Sequence, residues 1–539
     1  MQPNSRFPLS RAVLCFALTT ALGAAVPAVA APARANVTPL VNLGASTVGQ
    51  SVRGDLLLAS DGNLYAVAST GADTGYGGVI KVTPSGTATV LHAFAGPGTE
   101  SSTAYAGVIQ GTDGALYGTS YFGGAKNLGT VYRVTLAGEY TNLFSFTNDA
   151  KGGFFPYTGV TQAPNGDLYG TTLRGGDNDA GTVYRITTGG TLTSLVSFDG
   201  PNGKNPEGKL VVGPDGALYG TTLIGGEADR GTIYRITTDG ALTTLYSFPR
   251  LGEFNAAGIA TNDIGANPRA GLIVGADGNF YGTAYQGGTS GYGTVFRMTP
   301  AGAVTVLHSF AGPPGDGSYP LGAVAQMPDG SLVGTTEQGG YLGTGITWRI
   351  DPAGNYEVLH SFTQLASDGM RPYAALLPAN GYLYGVTFQD RLTAQIGLSG
   401  GVLFREELAT NGVLPVTLTA NPETMTLGAS ATLTWNAPTS SSCTAADAWT
   451  DTIGTSGTLT VTPKTAGIQH YVLSCTDGGG VVRTTSASVI VTTPALEPVD
   501  AGSDSEGGGG AFPILGLALL GGTLALSLTR KRFLKDAMK

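Results

Sequence analysis

The sequence predicts an all-β chain whose main body, residues 36–407, is a seven-bladed β-propeller with four-stranded blades. Three observations predict it. One motif recurs seven times: Leu-Tyr-Gly-Thr, then Gly-Gly, then Gly-Thr-Val-Tyr-Arg, then Leu-x-Ser-Phe. Its tyrosine position falls at Tyr65, Tyr117, Tyr169, Tyr219, Tyr281, Val333 and Tyr384, at spacings of 52, 52, 50, 62, 52 and 51 residues. Each unit carries four short strand signals and no 3.6-residue period, which is the layout of a propeller blade.

Before the repeats stands a secretory signal, residues 1–30. Arg6 and Arg11 precede the apolar stretch 12–26, and Ala28-Val29-Ala30 offers small residues for cleavage. Signal peptidase is the implied partner. Cys15 follows Leu14 rather than a small residue, so no lipid attachment is expected there.

Repeat 2 displays the strands of one blade: 106–110 (a), 116–120 (b), 130–135 (c) and 140–146 (d). Asp113-Gly114 turns a into b because such hairpins need residues that tolerate positive φ. Repeat 7 has strands a to c, ending at Val402-Leu403-Phe404-Arg405, but no fourth strand. The missing strand stands before repeat 1, at Thr38-Pro39-Leu40-Val41-Asn42-Leu43, so the N-terminal segment is expected to close the ring and leave no open edge.

These strings resemble the GloVer tandem repeat of exported bacterial proteins with varied C-terminal anchors. Repeats 1 and 6 depart from the pattern at Gly78-Val79-Ile80-Lys81, Leu332-Val333-Gly334 and Trp348-Arg349. The resemblance implies architecture and export, and brings no chemistry with it.

Beyond residue 407 the repeat stops. Residues 416–493 read as a β-sandwich, with strands at 432–435, 457–461, 471–475 and 487–491. A tryptophan, two cysteines and short strands suit an immunoglobulin-like module, although Trp435 precedes the first cysteine. Cys443 and Cys475 are an even pair in an exported chain and are expected to form a disulfide. Residues 494–510 read as a disordered linker. Residues 511–529 form an uncharged apolar stretch long enough to span a bilayer core, and 530–539 is a basic cytoplasmic tail beginning Arg530-Lys531-Arg532. The Gly-rich run, apolar stretch and basic cluster resemble the GlyGly-CTERM sorting tail. That resemblance implies a rhombosortase-type protease as a partner; a permanent membrane anchor is the alternative. The location expected is the cell surface or outer envelope, or release after tail processing.

The chain carries 85 glycines, 12% charged residues and a net charge of −9. Both ends are basic, so the body between them is more acidic still. That charge argues against nucleic acid or anionic lipid as a partner.

No pattern for an active site emerges. His92, His308 and His360 share one repeat position on strand d and cannot converge on a metal, and no zinc, calcium, phosphate-loop or nucleophile-elbow spacing occurs. Neither a metal nor a cofactor is expected. Lys81, Arg133, Arg185, Arg235, Arg297, Arg349 and Arg405 share a strand-c position; packing within each blade explains them better than a cationic ring for a ligand. The carboxylates Asp177, Asp179, Glu227 and Asp229 read as solvated loop residues rather than an acid pair. Candidate ligand-binding residues are those of the long loops that have no repeated counterpart: Phe154, Phe155, Tyr157, Arg250, Phe254 and Asn255. They should share the face formed by the b–c and d–a loops. The function expected is binding or adhesion to an extracellular glycan or protein, without a recognisable catalytic site. A glycan hydrolase or lyase on a propeller scaffold and a structural envelope component are the alternatives.

Overall fold

The structure is a computed structural model that describes residues 37–43, 48–148, 152–252, 254–255, 258–363, 368–389, 400–407, 417–422, 424–437, 440–447, 449, 452–477 and 482–493. The expected signal, linker, membrane stretch and basic tail lie outside the described residues. The described residues are all-β, and no helix among them is long and apolar enough to cross a membrane.

Seven antiparallel sheets follow one another along the chain. The second consists of Ile109–Gln110, Leu116–Ser120, Thr130–Val134 and Tyr140–Ser145, paired in that order. Three of these strands match the sequence reading to within a residue. The first is two residues long instead of five. Its upstream part is pressed against the neighbouring sheet: a Cβ built on Gly107 would sit 2.1 Å from the Asp55 carbonyl oxygen. Crowding of inner segments from adjacent sheets leaves little room for a longer ladder.

The repeated motif has a packing reason at each letter. A Cβ on Gly118 would meet the Tyr132 hydroxyl at 2.4 Å, and the same conflict recurs between Gly170 and Tyr184 and between Gly220 and Tyr234. Glycine on strand b therefore makes room for the aromatic ring of strand c. In the first sheet, where Ala66 replaces the glycine, its cross-strand partner is the smaller Ile80. The threonine of the motif bonds across to the next sheet: Thr119 Oγ1 donates to Thr158 O (2.7 Å), Thr221 Oγ1 to Ala270 O (2.9 Å) and Thr335 Oγ1 to Ala374 O (3.1 Å).

The seventh sheet takes its outer strand from the other end of the chain. Val37–Asn42 pairs antiparallel with Val402–Glu407, with Thr38 opposite Arg405 and an irregularity at Leu40. Leu43 lies just past the strand, held by its amide on Gly401 O (2.8 Å), and its buried side chain joins a core shared by the first and seventh sheets. Ala375 N also donates to Asp55 Oδ1 (3.0 Å), linking sheet seven to sheet one. The seven sheets thus close on themselves.

Residues 417–493 form two further sheets. One holds Thr417–Asn421, Ala431–Asn436 and Ser456–Val461; the other holds five strands with Gly467–Asp477 at its centre. Ala431–Asn436 alternates buried and exposed, as a strand with one face on a core must. That core includes Leu433, Trp435, Trp449, Tyr471 and Val489. Cys443 and Cys475 are disulfide-bonded and stand directly opposite each other on adjacent strands of one sheet. In antibody-type sandwiches the disulfide instead joins the two sheets.

Candidate functional site

The inner segments of all seven sheets line a single cavity of about 740 Å³. Its size falls within the ~300–1,000 Å³ of small-molecule sites. One repeat position supplies its inward residues: Arg53, Tyr105, Tyr157, Glu207, Arg269, Leu321 and Tyr373. Two residues earlier, every repeat has a non-glycine residue in the left-handed region, with φ between 51° and 60°: Ser51, Thr103, Phe155, Asn205, Asn267, Tyr319 and Arg371. Such backbone is unfavourable and persists only where its surroundings impose it. Here the preceding sheet does so, because these amides donate to its carbonyls: Phe155 N to Leu128 O (2.9 Å), Asn267 N to Arg230 O (2.8 Å) and Arg371 N to Thr344 O (2.8 Å).

Side chains around the mouth form one connected polar and aromatic surface. Arg53 lies over the rings of Phe388 (4.4 Å), Tyr105 (4.9 Å) and Tyr373 (5.9 Å). Tyr121 stacks on Phe155 (4.7 Å, 13°) and contacts Tyr105 (5.3 Å) and Tyr157 (6.2 Å). Across the ring, Arg269 Nε donates to Glu207 Oε2 (2.9 Å). Burial opposes the Arg269 charge, yet this carboxylate holds the guanidinium above its ordinary pKa. Tyr373 OH donates to Glu337 Oε1 (3.2 Å) and Tyr285 OH to Oε2 (3.5 Å). Burial, with the Glu337 charge, pushes the Tyr373 phenol up to about 12 and raises Tyr285. Both phenols are therefore protonated donors at neutral pH. Burial lowers Lys209, one pleat further in, while Asp55 works against that shift.

The structure divides the candidate residues read from the sequence. Tyr157 lines the cavity, and Phe155 reaches its mouth by stacking on Tyr121. Phe154 meets Phe155 edge-on (5.0 Å) but packs against the core shared by sheets two and three. Arg250 and Phe254 belong to a second cavity of about 720 Å³ on the inserted loop, where Phe254 is 74% exposed. Asn255 shapes that loop: its amide donates to Ile259 O (2.9 Å) and its Oδ1 accepts from Ile259 N (3.0 Å). Arg53, Tyr105, Glu207, Lys209, Arg269 and Tyr373 escaped the sequence reading. Except for Lys209, which stands two residues further on, their signal is a repeat position, usually twelve residues before the motif tyrosine, that fails to repeat between well-kept neighbours.

Comparison with known families assigns the repeats. The model of the Gloeobacter/Verrucomicrobia repeat matches residues 51–263 and 254–397, more than half of the chain. The chain belongs to this family. No curated relative matches the GloVer sequence. Solved structures similar to it include the extracellular domain of BT4673 from B. thetaiotaomicron (13% identity, 87% of this chain and 59% of that one, TM-score 0.45). They also include a puromycin hydrolase (13%, 87% and 63%, TM-score 0.42) and the BP39L lectin from Burkholderia pseudomallei (11%, 70% and 91%, TM-score 0.33). The chain spans about three fifths of the length of the first of these.

Other recurring polar residues of the GloVer repeat serve local structure. Lys81, Arg133, Arg235 and Arg349 bond the aspartate of their own sheet's first turn, at 2.9, 2.8, 2.7 and 2.9 Å. Arg185 stands 3.7 Å from Asp167, and Arg405 lies over Tyr382 (4.7 Å). His92, His308 and His360 each pair with a carboxylate eight residues on: Glu100 (2.9 Å), Asp316 (3.2 Å) and Asp368 (2.7 Å). Asp179 and Asp229 accept the amides of Gly175 and Gly225 (2.9 Å each) and so fold their own loops. Among the described residues no group of three His, Cys, Asp or Glu side chains is placed to hold a metal.

Proposed function

We propose that this GloVer protein is a binding module, with its ligand seated in the cavity shared by the seven sheets. The observation that carries the reading is the failure of one position to repeat. Where the fold needs a residue, most repeats agree: the glycine–aromatic pair recurs in six of them, and the clipping threonine and the turn aspartate in five each. At the cavity mouth they read Arg53, Tyr105, Tyr157, Glu207, Arg269, Leu321 and Tyr373. Scaffold positions have no reason to diverge in that way. A site for one ligand has every reason to, because a ligand without sevenfold symmetry needs different groups around the ring. Binding is favoured over hydrolysis because the two mouth glutamates are engaged, Glu207 by Arg269 and Glu337 by two tyrosines.

In the finer reading the seven sheets are the blades of a seven-bladed propeller, and the following sandwich is an immunoglobulin-like spacer. The chain is exported under its signal. Its C-terminal tail holds it at the cell surface or is processed by a rhombosortase-type protease. The test is retention on immobilised extracellular polysaccharides and proteins, with analysis for cleavage products. The wild-type chain should be retained without cleavage, and Tyr105→Ala with Tyr157→Ala should lose retention while melting as the wild type does. Release of shortened glycan, or retention indifferent to both substitutions, contradicts the reading.

A further inference from the structure

Two cations that line this cavity have no acceptor among the described residues, a state that the strand-c Arg297 and Arg405 share outside it. Arg269 has Glu207, and the strand-c Lys81, Arg133, Arg235 and Arg349 have their turn aspartates. Arg53 does not. Among the described residues its guanidinium makes no ion pair or hydrogen bond, its Nε is buried without an acceptor, and aromatic faces hold it. Lys209, on the opposite part of the ring, likewise has no hydrogen-bond partner among the described residues. Asp55, the counter-charge that acts on it, already accepts the Ala375 amide at 3.0 Å. For the buried Arg53 Nε a missing acceptor costs ~1–3 kcal/mol, whereas Lys209 is half-buried and keeps access to solvent.

We infer that the cavity binds an anion, a carboxylate or sulfate carried by an oligosaccharide, between Arg53 and Lys209. This rests on the cavity being the binding site. A guanidinium offers a carboxylate or sulfate two parallel N–H donors, and a lysine adds a point charge. The tyrosines around Arg53 supply apolar faces with polar rims, suited to a ring that must be gripped from its side. The net charge of −9 opposes a polyanion at a distance. Screening largely removes that repulsion beyond ~8 Å at physiological salt, so charges within the cavity dominate what a bound anion meets.

Calorimetric titration of the purified full chain tests the inference with three probes of matched length: an oligogalacturonate, a sulfated heparin-type oligosaccharide and a neutral cello-oligosaccharide. One acidic probe should bind at least about tenfold more tightly than the neutral one. Arg53→Gln and Lys209→Gln should each weaken it about tenfold or more, the scale of one lost charge-assisted hydrogen bond. Arg185→Gln, on an outer strand, should not, and all variants should melt as the wild type does. Which acidic probe binds separates carboxylate from sulfate. A preference for the neutral probe, or binding of no acidic probe, overturns the anion and leaves the cavity reading standing. Tight binding of an acidic probe that ignores both substitutions overturns both, because the ligand then sits elsewhere.

Discussion

At the scale of single residues, the repeat is a set of paired choices, and each pair can be broken and restored. Gly118 exists because Tyr132 occupies the space a Cβ would need. Gly118→Ala should therefore destabilise by about 1–3 kcal/mol, the usual cost of overpacking. Adding Tyr132→Ile, which copies the Ala66–Ile80 pair of the first sheet, should recover most of that loss in urea unfolding. Additive penalties would contradict the pairing. Glu406 is the opposite case. Six repeats have Val, Ile or Met at its position, yet this carboxyl is fully buried beside the closing strand, opposite Val37. Burial pushes its pKa up to about 7, with His360 pulling it down and Asp368 pushing it up. A carboxyl raised in the folded state binds its proton more tightly there than when unfolded. Its stabilising effect is thus full below ~pH 4.5 and lost as pH rises through about 7, a swing on the order of 3 kcal/mol. Unfolding at pH 5 and pH 8 should show this fall in the wild type and a much shallower one in Glu406→Gln. Equal slopes would show that Glu406 does not set the pH dependence.

At the scale of strands, the sequence read most clearly where side chains alternate. Strands b, c and d of repeat 2 were legible to within a residue because their inward residues are large and regular. The innermost strand was not, since its course is fixed by contact with the neighbouring sheet at Gly107 and by the left-handed residue Thr103, neither of which leaves a local pattern. The closing strand was legible from an absence, the missing fourth strand of repeat 7. Deleting residues 37–43 removes Leu43 from its core and uncovers Glu406, and should cost more than about 4 kcal/mol. An unchanged melting temperature would mean that the strand does not close the ring. The disulfide acts on a different element. It closes a separation of 32 residues and should contribute ~3–4 kcal/mol to residues 417–493 alone. Hydrogen exchange with reductant should quicken in that segment and leave 48–407, which holds no cysteine, as it was.

At the scale of the whole molecule, seven similar sheets build a scaffold whose shared cavity is lined by residues that differ. The fold was legible because it is written seven times. The site was largely illegible for the same reason. Attention to what recurs passes over Arg53, Glu207 and Arg269, and attention to long loops leads to Arg250 and Phe254, which line a separate cavity. Tyr157 was found only because it follows the unrepeated Phe154-Phe155 pair. The central claim is that ligand occupies the common cavity. Hydrogen exchange of the full chain, with and without a bound oligosaccharide, tests it most directly. The prediction is protection concentrated in the inner segments 51–58, 103–110, 155–162, 205–212 and 267–274, spread over several sheets at once. Protection confined to the inserted loop around Phe254, or to the tight turns at Asp113-Gly114 and their equivalents, would contradict it.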